Sequence, residues 1–169
     1  MLSKNIEKAL NEQINAELFS AYLYMSMSAY FLDKNLEGFG NWMYIQALEE
    51  FAHAKKFYSF VIERGGRVKL TRIEEPGNEW ENAEKVFEDA YAHEQYITER
   101  INKLVNMAMD EKDHATGVML QWFVSEQVEE EANASAVLEK IRLAGSKGSG
   151  LFMIDRELSQ RNFDAAEYE

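Results

Sequence analysis

Cysteine is missing from this chain of 169 residues, and proline occurs only once. The lack of cysteine excludes a disulfide framework, thiolate-held metals and cysteine nucleophiles, so any bound metal must take oxygen and nitrogen ligands. With one proline and nine glycines, the runs of Ala, Leu, Glu, Lys and Met have few breaks, which favours helices throughout. We therefore predict an all-α fold in a single domain over residues 1–169.

Basic residues are in the minority, with 18 Lys and Arg against 30 Asp and Glu and a formal net charge of −12. A surface of this sign repels phosphates and attracts cations, so we expect no nucleic-acid partner. Glu, Lys or Asn interrupts each apolar segment every few residues, so no run is long enough to cross a bilayer. Because the sequence shows no secretory signal either, we expect a cytoplasmic protein with no membrane partner.

Apolar residues recur at alternating steps of three and four, the spacing of an amphipathic helix, in four long segments and a short one. The predicted helices cover residues 5–33, 38–64, 83–111, 114–143 and, after a Gly-Ser segment at 145–150, 151–161. Residues 65–82 form the one long connection. Extended at ~3.3 Å per residue they could reach about 60 Å, more than the ~42 Å of a 28-residue helix. We predict a four-helix bundle over about 5–143, made of two antiparallel hairpins joined by this crossover between helices two and three.

The apolar stripe of every long helix is broken near its middle by polar side chains. These are Glu17 in the first helix, Glu50 and His53 in the second, Glu94 in the third, and Gln127 and Glu130 in the fourth. Each lies roughly 18 to 24 Å from the start of its helix at 1.5 Å per residue. The midpoints of four similar helices coincide in a bundle whichever way each helix points, so these side chains should converge on one cluster.

Carboxylates gathered in a core cannot all stay ionised unaided, because moving even one ion out of water costs several kcal/mol. Two divalent cations about 3.5 to 4 Å apart, with one carboxylate bridging them, would offset the charge. Oxygen-rich ligation with a single imidazole suits Fe²⁺ or Mn²⁺, whereas Zn²⁺ would bind but has no redox chemistry. The spacing alone leaves the identity of the metal open.

Taken singly, each residue has a plainer interpretation. Acidic runs such as 49–50 and 129–131 are typical of solvated faces, and a lone histidine such as His53 is typical of a hydrogen-bonded core residue. However, polar residues interrupt the apolar stripes of all four long helices at the same height in the bundle, and this coincidence favours the metal centre. Tyr24 shares a helix face with Glu17, and we expect it either to support that carboxylate or to pack in the core. We expect packing roles for Trp42 and Trp122 and surface positions for His93 and His114.

These motifs together resemble the ferroxidase centre of prokaryotic non-haem ferritins. The matching segments are NAELFSAYLY around Glu17, EEFAHA around Glu50 and His53, HEQ around Glu94, and SEQVEEE around Gln127 and Glu130. The similarity covers nearly the whole chain, including the crossover and the short fifth helix. It implies a ferritin-like four-helix bundle whose twenty-four subunits form a cage, oxidise Fe²⁺ with dioxygen or peroxide, and store ferric oxyhydroxide.

The resemblance also implies a role for each matched residue. Glu17 and His53 would hold a first iron, Glu50 would bridge, and Glu94 and Glu130 would hold the second iron with Gln127 nearby. Glu49, Glu126 and Glu129 match a third iron position of such ferritins; the alternative is that they only face the cage interior. The fifth helix would pack Leu151, Phe152, Ile154 and Leu158 around a four-fold axis.

Related families fit less well. A bacterioferritin would carry a second Glu-x-x-His on the fourth helix and a haem-binding Met after the glutamate of the first such motif. The corresponding positions hold Gln127, Glu130 and Phe51, so no haem is expected. Rubrerythrins add a cysteine-ligated iron domain, which this chain cannot build. Two alternatives stay open: a discrete di-iron oxidase or peroxidase that stores no mineral, and a metal-free helical interaction module.

Overall fold

The computed structural model describes residues 2–145 and 148–168. Within those residues the regular elements are all helical. They are α1 (Lys4–Asp33), α2 (Glu37–Glu63), α3 (Ala83–Asp110), α4 (His114–Ala144), α5 (Ser149–Leu158) and a short 3₁₀ helix (Ala165–Tyr168). The predicted all-α class is confirmed, and the ends of the four long helices lie within one residue of the prediction. In the predicted Gly-Ser segment, Ser146 and Lys147 lie outside the described residues.

Local signals in the sequence explain where the helices begin and end. Ser3, Asn82 and Asp113 stand directly before α1, α3 and α4, and each side chain accepts a hydrogen bond from the backbone N–H three residues further on. Just after α2, Gly65 has a φ of +73°, a conformation that costs glycine little.

The long helices pack as two hairpins, α1 against α2 and α3 against α4, and α1 also packs against α3. The crossover after α2 runs along α1, because side chains at three levels of α1 donate hydrogen bonds to its carbonyl oxygens. The bonds join Asn11 to Arg67, Asn15 to Arg72 and Ser26 to Gly77, at 3.0, 3.0 and 2.7 Å. The residue numbers of the paired positions increase together, so the crossover runs parallel to α1. It therefore returns the chain to the other end of the bundle, as its length predicts.

Helix α5 packs on α2 and α4. Ile154 and Leu158 are buried in the core of their own bundle, and Leu151 packs partly against it. Phe152 instead is 62% exposed. The prediction that all four side chains surround a four-fold axis is therefore wrong for Ile154 and Leu158, because α5 is amphipathic and its apolar stripe meets the bundle.

The start of α2 and the middle of α5 approach each other closely. A Cβ on Gly38 would lie 1.6 Å from the carbonyl oxygen of Asp155, so only glycine fits this contact. The Asp155 carboxylate accepts a hydrogen bond of 3.0 Å from the backbone N–H of Phe39. One residue of α5 therefore satisfies an unpaired donor in the first turn of α2.

Two apolar clusters fill the bundle, one towards each end. One is built on Tyr24, Phe31, Phe39, Phe87 and Ile141, and the other on Ile6, Leu10, Phe57, Ile101 and Phe123. On α1 the stretch between the two clusters contains Glu17 and Ser20, both fully buried. The core is thus divided by a polar layer at mid-height.

None of the described helices is both long and apolar enough to span a bilayer. The cytoplasmic location and the single domain over residues 1–169 stay predictions.

Candidate metal centre

All four long helices contribute buried polar side chains to the layer between the two apolar clusters. The residues are Glu17, Glu50, His53, Glu94, Gln127 and Glu130, each at most 3% exposed. Helical periodicity puts each of them on the inward stripe of its helix, where an apolar residue would otherwise stand. The predicted convergence at mid-helix is therefore observed.

One group in this layer joins α1 to α2. A carboxylate oxygen from each of Glu17 and Glu50 and a ring nitrogen of His53 lie within 4.8 Å of one another. Glu17 Oε2 and Glu50 Oε1 are buried and have no hydrogen-bond partner among the described residues. Buried carboxylate oxygens without donors are costly, so these two atoms suit a bound cation.

A second group joins α2 to α4. A ring nitrogen of His53 and a carboxylate oxygen from each of Glu126 and Glu130 lie within 4.8 Å of one another. The Nε2–Oε1 distance between His53 and Glu126 is 3.6 Å. Glu130 Oε2 accepts a hydrogen bond of 2.8 Å from Gln46 Nε2. In this group Glu126 stands where the resemblance implies Glu94.

Glu94 lies in the same layer but belongs to neither three-residue group. Its Oε1 accepts a hydrogen bond from the Tyr24 hydroxyl, and its Oε2 accepts one of 3.2 Å from Gln127 Nε2. Tyr24 therefore supports Glu94 across the bundle, whereas the sequence analysis paired it with Glu17 on its own helix. Gln127 therefore supports Glu94 from α4.

The three carboxylates matched to a third metal position line one acidic pocket of about 430 Å³. Its lining comprises Glu49, Glu126, Glu129 and Glu130 together with Trp122, Asn133 and Arg161. Arg161 Nη2 donates a hydrogen bond of 2.5 Å to Glu49 Oε2. The pocket therefore contains a cation of the protein itself, which the sequence analysis did not predict.

Burial changes the proton affinity of this layer. It raises the pKa of Glu130 to about 8, and it raises the pKa values of Glu50 and Glu94 in the same direction. Burial lowers the pKa of His53, but the neighbouring carboxylates of Glu126 and Glu50 outweigh that effect and hold the pKa well above its ordinary value. Without a metal the layer holds protons, and a cation that binds here must displace them.

Two buried glutamines, Gln13 and Gln46, contact the site directly, although the sequence analysis assigned neither of them a role. Gln13 Nε2 donates a hydrogen bond of 2.8 Å to Glu17 Oε1, and Gln46 Nε2 donates one of the same length to Glu130 Oε2. The sequence does contain a signal for the Gln13 contact: a glutamine on the inward face of a helix, four residues before a carboxylate on the same face. Spacing identifies the Gln13 contact but not that of Gln46, whose partner belongs to another helix.

His93 is half-buried, so its predicted surface position is wrong. Phe19 and Tyr96 cover its ring, with centroid distances of 5.9 and 6.1 Å, and its Nε2 lies 2.7 Å from Ser20 Oγ. Burial lowers the pKa of His93 to about 4. His114 is exposed, as predicted.

Trp42 and Trp122 pack against aromatic neighbours, as predicted. The Trp42 ring lies 5.0 Å from that of Phe87, and the Trp122 ring lies 5.6 Å from that of His53. Trp122 therefore forms part of the wall around the candidate centre.

Comparison with known proteins agrees with this arrangement. Residues 7–144 match the ferritin family model, described as a ferritin-like domain. A bacterial non-heme ferritin of Campylobacter jejuni is 43% identical over 156 residues, which cover 92% of this chain and 93% of that protein. One of Bacteroides fragilis is 42% identical over 161 residues, covering 95% of this chain and 100% of that protein. The chain therefore belongs to the ferritin family, which confirms the resemblance of its motifs.

Solved structures lead to the same family. An Archaeoglobus fulgidus ferritin engineered into a closed form has a TM-score of 0.95 and 53% identity, covering 97% of this chain and 100% of that one. A structure described as a novel open-pore ferritin of the same archaeon has a TM-score of 0.94 and 53% identity, covering 96% of this chain and 100% of that one. The helical bundle with a short C-terminal helix is therefore a ferritin fold.

Proposed function

We propose that this protein binds two Fe²⁺ ions per chain at the polar layer, oxidises them to Fe³⁺, and stores ferric oxyhydroxide inside a cage of twenty-four subunits. One observation carries the proposal: Glu17 and Glu50 each have a buried oxygen without a hydrogen-bond partner among the described residues, and their carboxylates and the His53 ring bring ligand atoms within 4.8 Å of one another. This donor set, rich in oxygen with one imidazole, suits iron. Membership of the ferritin family supports the choice of iron over other divalent ions.

The proposed roles of the residues follow the resemblance of the motifs to those of non-haem ferritins. Glu17 and His53 hold the first iron, Glu50 bridges, Glu94 and Glu130 hold the second iron, and Gln127 lies beside Glu94. The Tyr24 hydroxyl orients Glu94. Glu49, Glu126 and Glu129 hold a third iron in the acidic pocket that they line. No haem takes part.

Electrons pass from iron to the oxidant in pairs. Two Fe²⁺ give up two electrons, and dioxygen takes them with two protons and leaves as hydrogen peroxide. Where peroxide is the oxidant, it takes two electrons and two protons and leaves as two waters. The raised pKa values of Glu50, Glu94 and Glu130 make these carboxyl groups the local source of protons when iron arrives.

An exposed apolar groove supports assembly into a cage. It has a volume of about 370 Å³ and lies between α1, α2 and the crossover. Its lining includes Ile14, Leu18, Phe51, Tyr58 and Leu70. Phe51 is 60% exposed and Leu70 is 68% exposed. Contiguous apolar surface of this kind marks a contact site, and a second copy of the chain is the partner that a cage requires.

The test is the rate of Fe²⁺ oxidation in air, followed by the absorbance of the ferric product. Glu50→Ala and His53→Ala should each slow oxidation at least tenfold, because each removes a metal-facing group. The matched controls are Glu63→Ala and His114→Ala, which remove exposed residues of the same types and should leave the rate unchanged. Equal rates in all four variants would refute the ferroxidase centre.

A further inference from the structure

We propose that Arg100 and Arg161 are positioning residues, one for each iron position, and that each acts through a buried glutamine. Arg100 orients Glu17 through Gln13, and Arg161 orients Glu130 through Gln46. The inference rests on the proposed function, because the two carboxylates are the proposed iron ligands. It goes further in assigning two residues outside the centre a role in its geometry.

The first relay connects α3 to α1. Arg100 Nε donates a hydrogen bond of 2.9 Å to Gln13 Oε1, and Gln13 Nε2 donates one of 2.8 Å to Glu17 Oε1. Gln13 is only 1% exposed, so water does not compete for its amide. The other carboxylate oxygen, Glu17 Oε2, has no hydrogen-bond partner among the described residues. One oxygen is therefore fixed by the amide and the other is left for a metal.

The second relay connects the segment after α5 to α2 and α4. Arg161 Nη2 donates a hydrogen bond to Gln46 Oε1, and Gln46 Nε2 donates one of 2.8 Å to Glu130 Oε2. Gln46 is fully buried. The order is the same as in the first relay: guanidinium, amide oxygen, amide nitrogen, carboxylate. Two independent sites in one chain thus share one arrangement.

The arginine decides which way each amide faces. A guanidinium has donors only, so it holds the oxygen of the amide on its own side and leaves the NH₂ group towards the carboxylate. The flipped amide would turn its oxygen towards a carboxylate, which repels it, and would leave a buried donor misplaced. Fixing the amide fixes the carboxylate, in the way that hydrogen-bond partners outside a metal site usually orient its ligands.

Both guanidinium groups are anchored by further contacts. Arg100 Nη2 donates to the carbonyl oxygen of Glu12 at 3.1 Å, and its Nη1 donates to the Tyr96 hydroxyl at 3.2 Å. Arg161 lies over the Trp42 ring at 4.5 Å and donates to the Trp42 carbonyl oxygen at 3.4 Å. These contacts hold each arginine in one place, so it serves as a fixed reference for the glutamine.

Co²⁺ is the probe that tests the relays, because it needs no oxidation and its visible absorption reports ligand geometry. Wild-type protein should bind two Co²⁺ per chain. Arg100→Met and Arg161→Met should each weaken one of the two binding steps about tenfold and alter its absorption spectrum. The matched control is Arg72→Met, which removes an exposed arginine of the crossover and should change neither value. Arg100→Lys and Arg161→Lys retain a donor and should recover most of the affinity.

A double-mutant cycle separates the relay from simple loss of charge. If Arg100 acts through Gln13, Arg100→Met should have no further effect on Co²⁺ affinity in a Gln13→Met background. Gln46→Met should likewise remove the effect of Arg161→Met on the second step, even though Arg161 also pairs with Glu49. Full additivity, or wild-type affinity and spectra in both arginine variants, would overturn the relays alone. Failure of the wild-type protein to bind Co²⁺ would overturn the proposed centre as well.

Discussion

At the scale of single residues, the fold has moved three carboxyl groups out of their ordinary titration range. Glu50, Glu94 and Glu130 are almost fully buried, and burial is the main cause of each raised pKa. In the absence of metal these groups keep protons that exposed carboxyl groups would release. Protons and cations therefore compete for the same oxygens, which gives the metal-free protein a distinctive dependence on pH.

We expect the metal-free protein to lose stability as the pH rises from about 5 to about 8. The pKa of Glu130 rises from 4.5 to about 8 on folding. A raised pKa means that the folded state holds the proton more tightly, so this stability is fully present below the lower value and is lost as the pH passes through the higher one. Glu50, Glu94 and His53 are shifted in the same direction. His93, whose pKa falls from 6.5 to about 4, contributes in the opposite sense between these two values, and we expect the four raised groups to outweigh it.

The melting temperature, measured in chelator across this range, checks the expectation. It should fall with rising pH, and saturating Zn²⁺ should remove most of the decline because the metal replaces the protons. A melting temperature that is flat or rises between pH 5 and pH 8 in chelator would contradict the assigned protonation.

Glu50→Gln should separate metal binding from stability. The substitution keeps the shape of the side chain and removes its charge. The free energy of unfolding of the metal-free protein at pH 8 should increase, because burial raises the pKa of Glu50 and so disfavours its charged form. Stabilisation by Zn²⁺ should largely disappear. Glu63→Gln, an exposed change on the same helix, should alter neither quantity, and a loss of stability in Glu50→Gln would argue against a strained ion at this position.

The sequence predicts the candidate metal ligands better than it predicts the residues that hydrogen-bond to them. Glu17, Glu50 and His53 stand out because each interrupts an apolar stripe, and helical period alone places them inward. Glu94 stands out for the same reason, but its contact with Tyr24 depends on how α1 faces α3. Arg161 gives no such signal, because its partners Gln46 and Glu49 come within reach only once α5 has docked on α2.

At the scale of elements, the contact between α2 and α5 links the C-terminal part of the chain to the centre. Gly38 allows the close approach, Asp155 caps α2, and Asn41 Nδ2 donates a hydrogen bond of 3.0 Å to the carbonyl oxygen of Arg161. The position of Arg161 beside Gln46 therefore depends on the docking of α5.

Gly38→Ala should displace α5, because the new Cβ would lie 1.6 Å from a backbone oxygen. We expect a loss of about 1–3 kcal/mol in the free energy of unfolding, measured by denaturant titration. Gly117→Ala is the matched control: it lies within α4, nothing lies within 4 Å of its added Cβ, and alanine should stabilise the helix by about 0.5–1 kcal/mol. Equal effects of the two substitutions would contradict the close contact.

The ends of a helix can be predicted from the sequence where local signals mark them. They cannot be predicted where they depend on how the helix docks on the rest of the bundle. The caps at Ser3, Asn82 and Asp113, together with long periodic stripes, place the four long helices within one residue. Helix α5 begins at Ser149 and ends at Leu158, whereas the sequence predicted 151–161. A ten-residue helix has few turns in which to show a period, and its ends depend on the surface that it covers.

At the scale of the whole molecule, an acidic chain carries an apolar groove on its outer face. The formal net charge of −12 opposes contact between chains, whereas the exposed apolar side chains of Phe51, Tyr58 and Leu70 favour it. Helical period predicts which residues of α1 and α2 face outward, but not that the crossover adds Leu70 to them. That addition depends on how the crossover packs along α1.

Phe51→Glu should reduce assembly without unfolding the chain. The new carboxylate would lie in the apolar groove, where a contact with a second chain would bury it without a partner. Light scattering coupled to gel filtration should show smaller particles than the wild-type protein forms, with unchanged far-ultraviolet circular dichroism. Particles of the wild-type size would exclude the groove from the interfaces of the cage.

Iron retained per chain is the measurement that tests the central claim most directly. Fe²⁺ is added in air to the purified protein in increasing excess, the mixture is passed through gel filtration, and iron is assayed in the protein peak. A storage cage should retain many tens of iron ions per chain in a particle of several hundred kilodaltons. Retention that stops near two per chain in a small oligomer would contradict storage and identify a discrete di-iron enzyme instead.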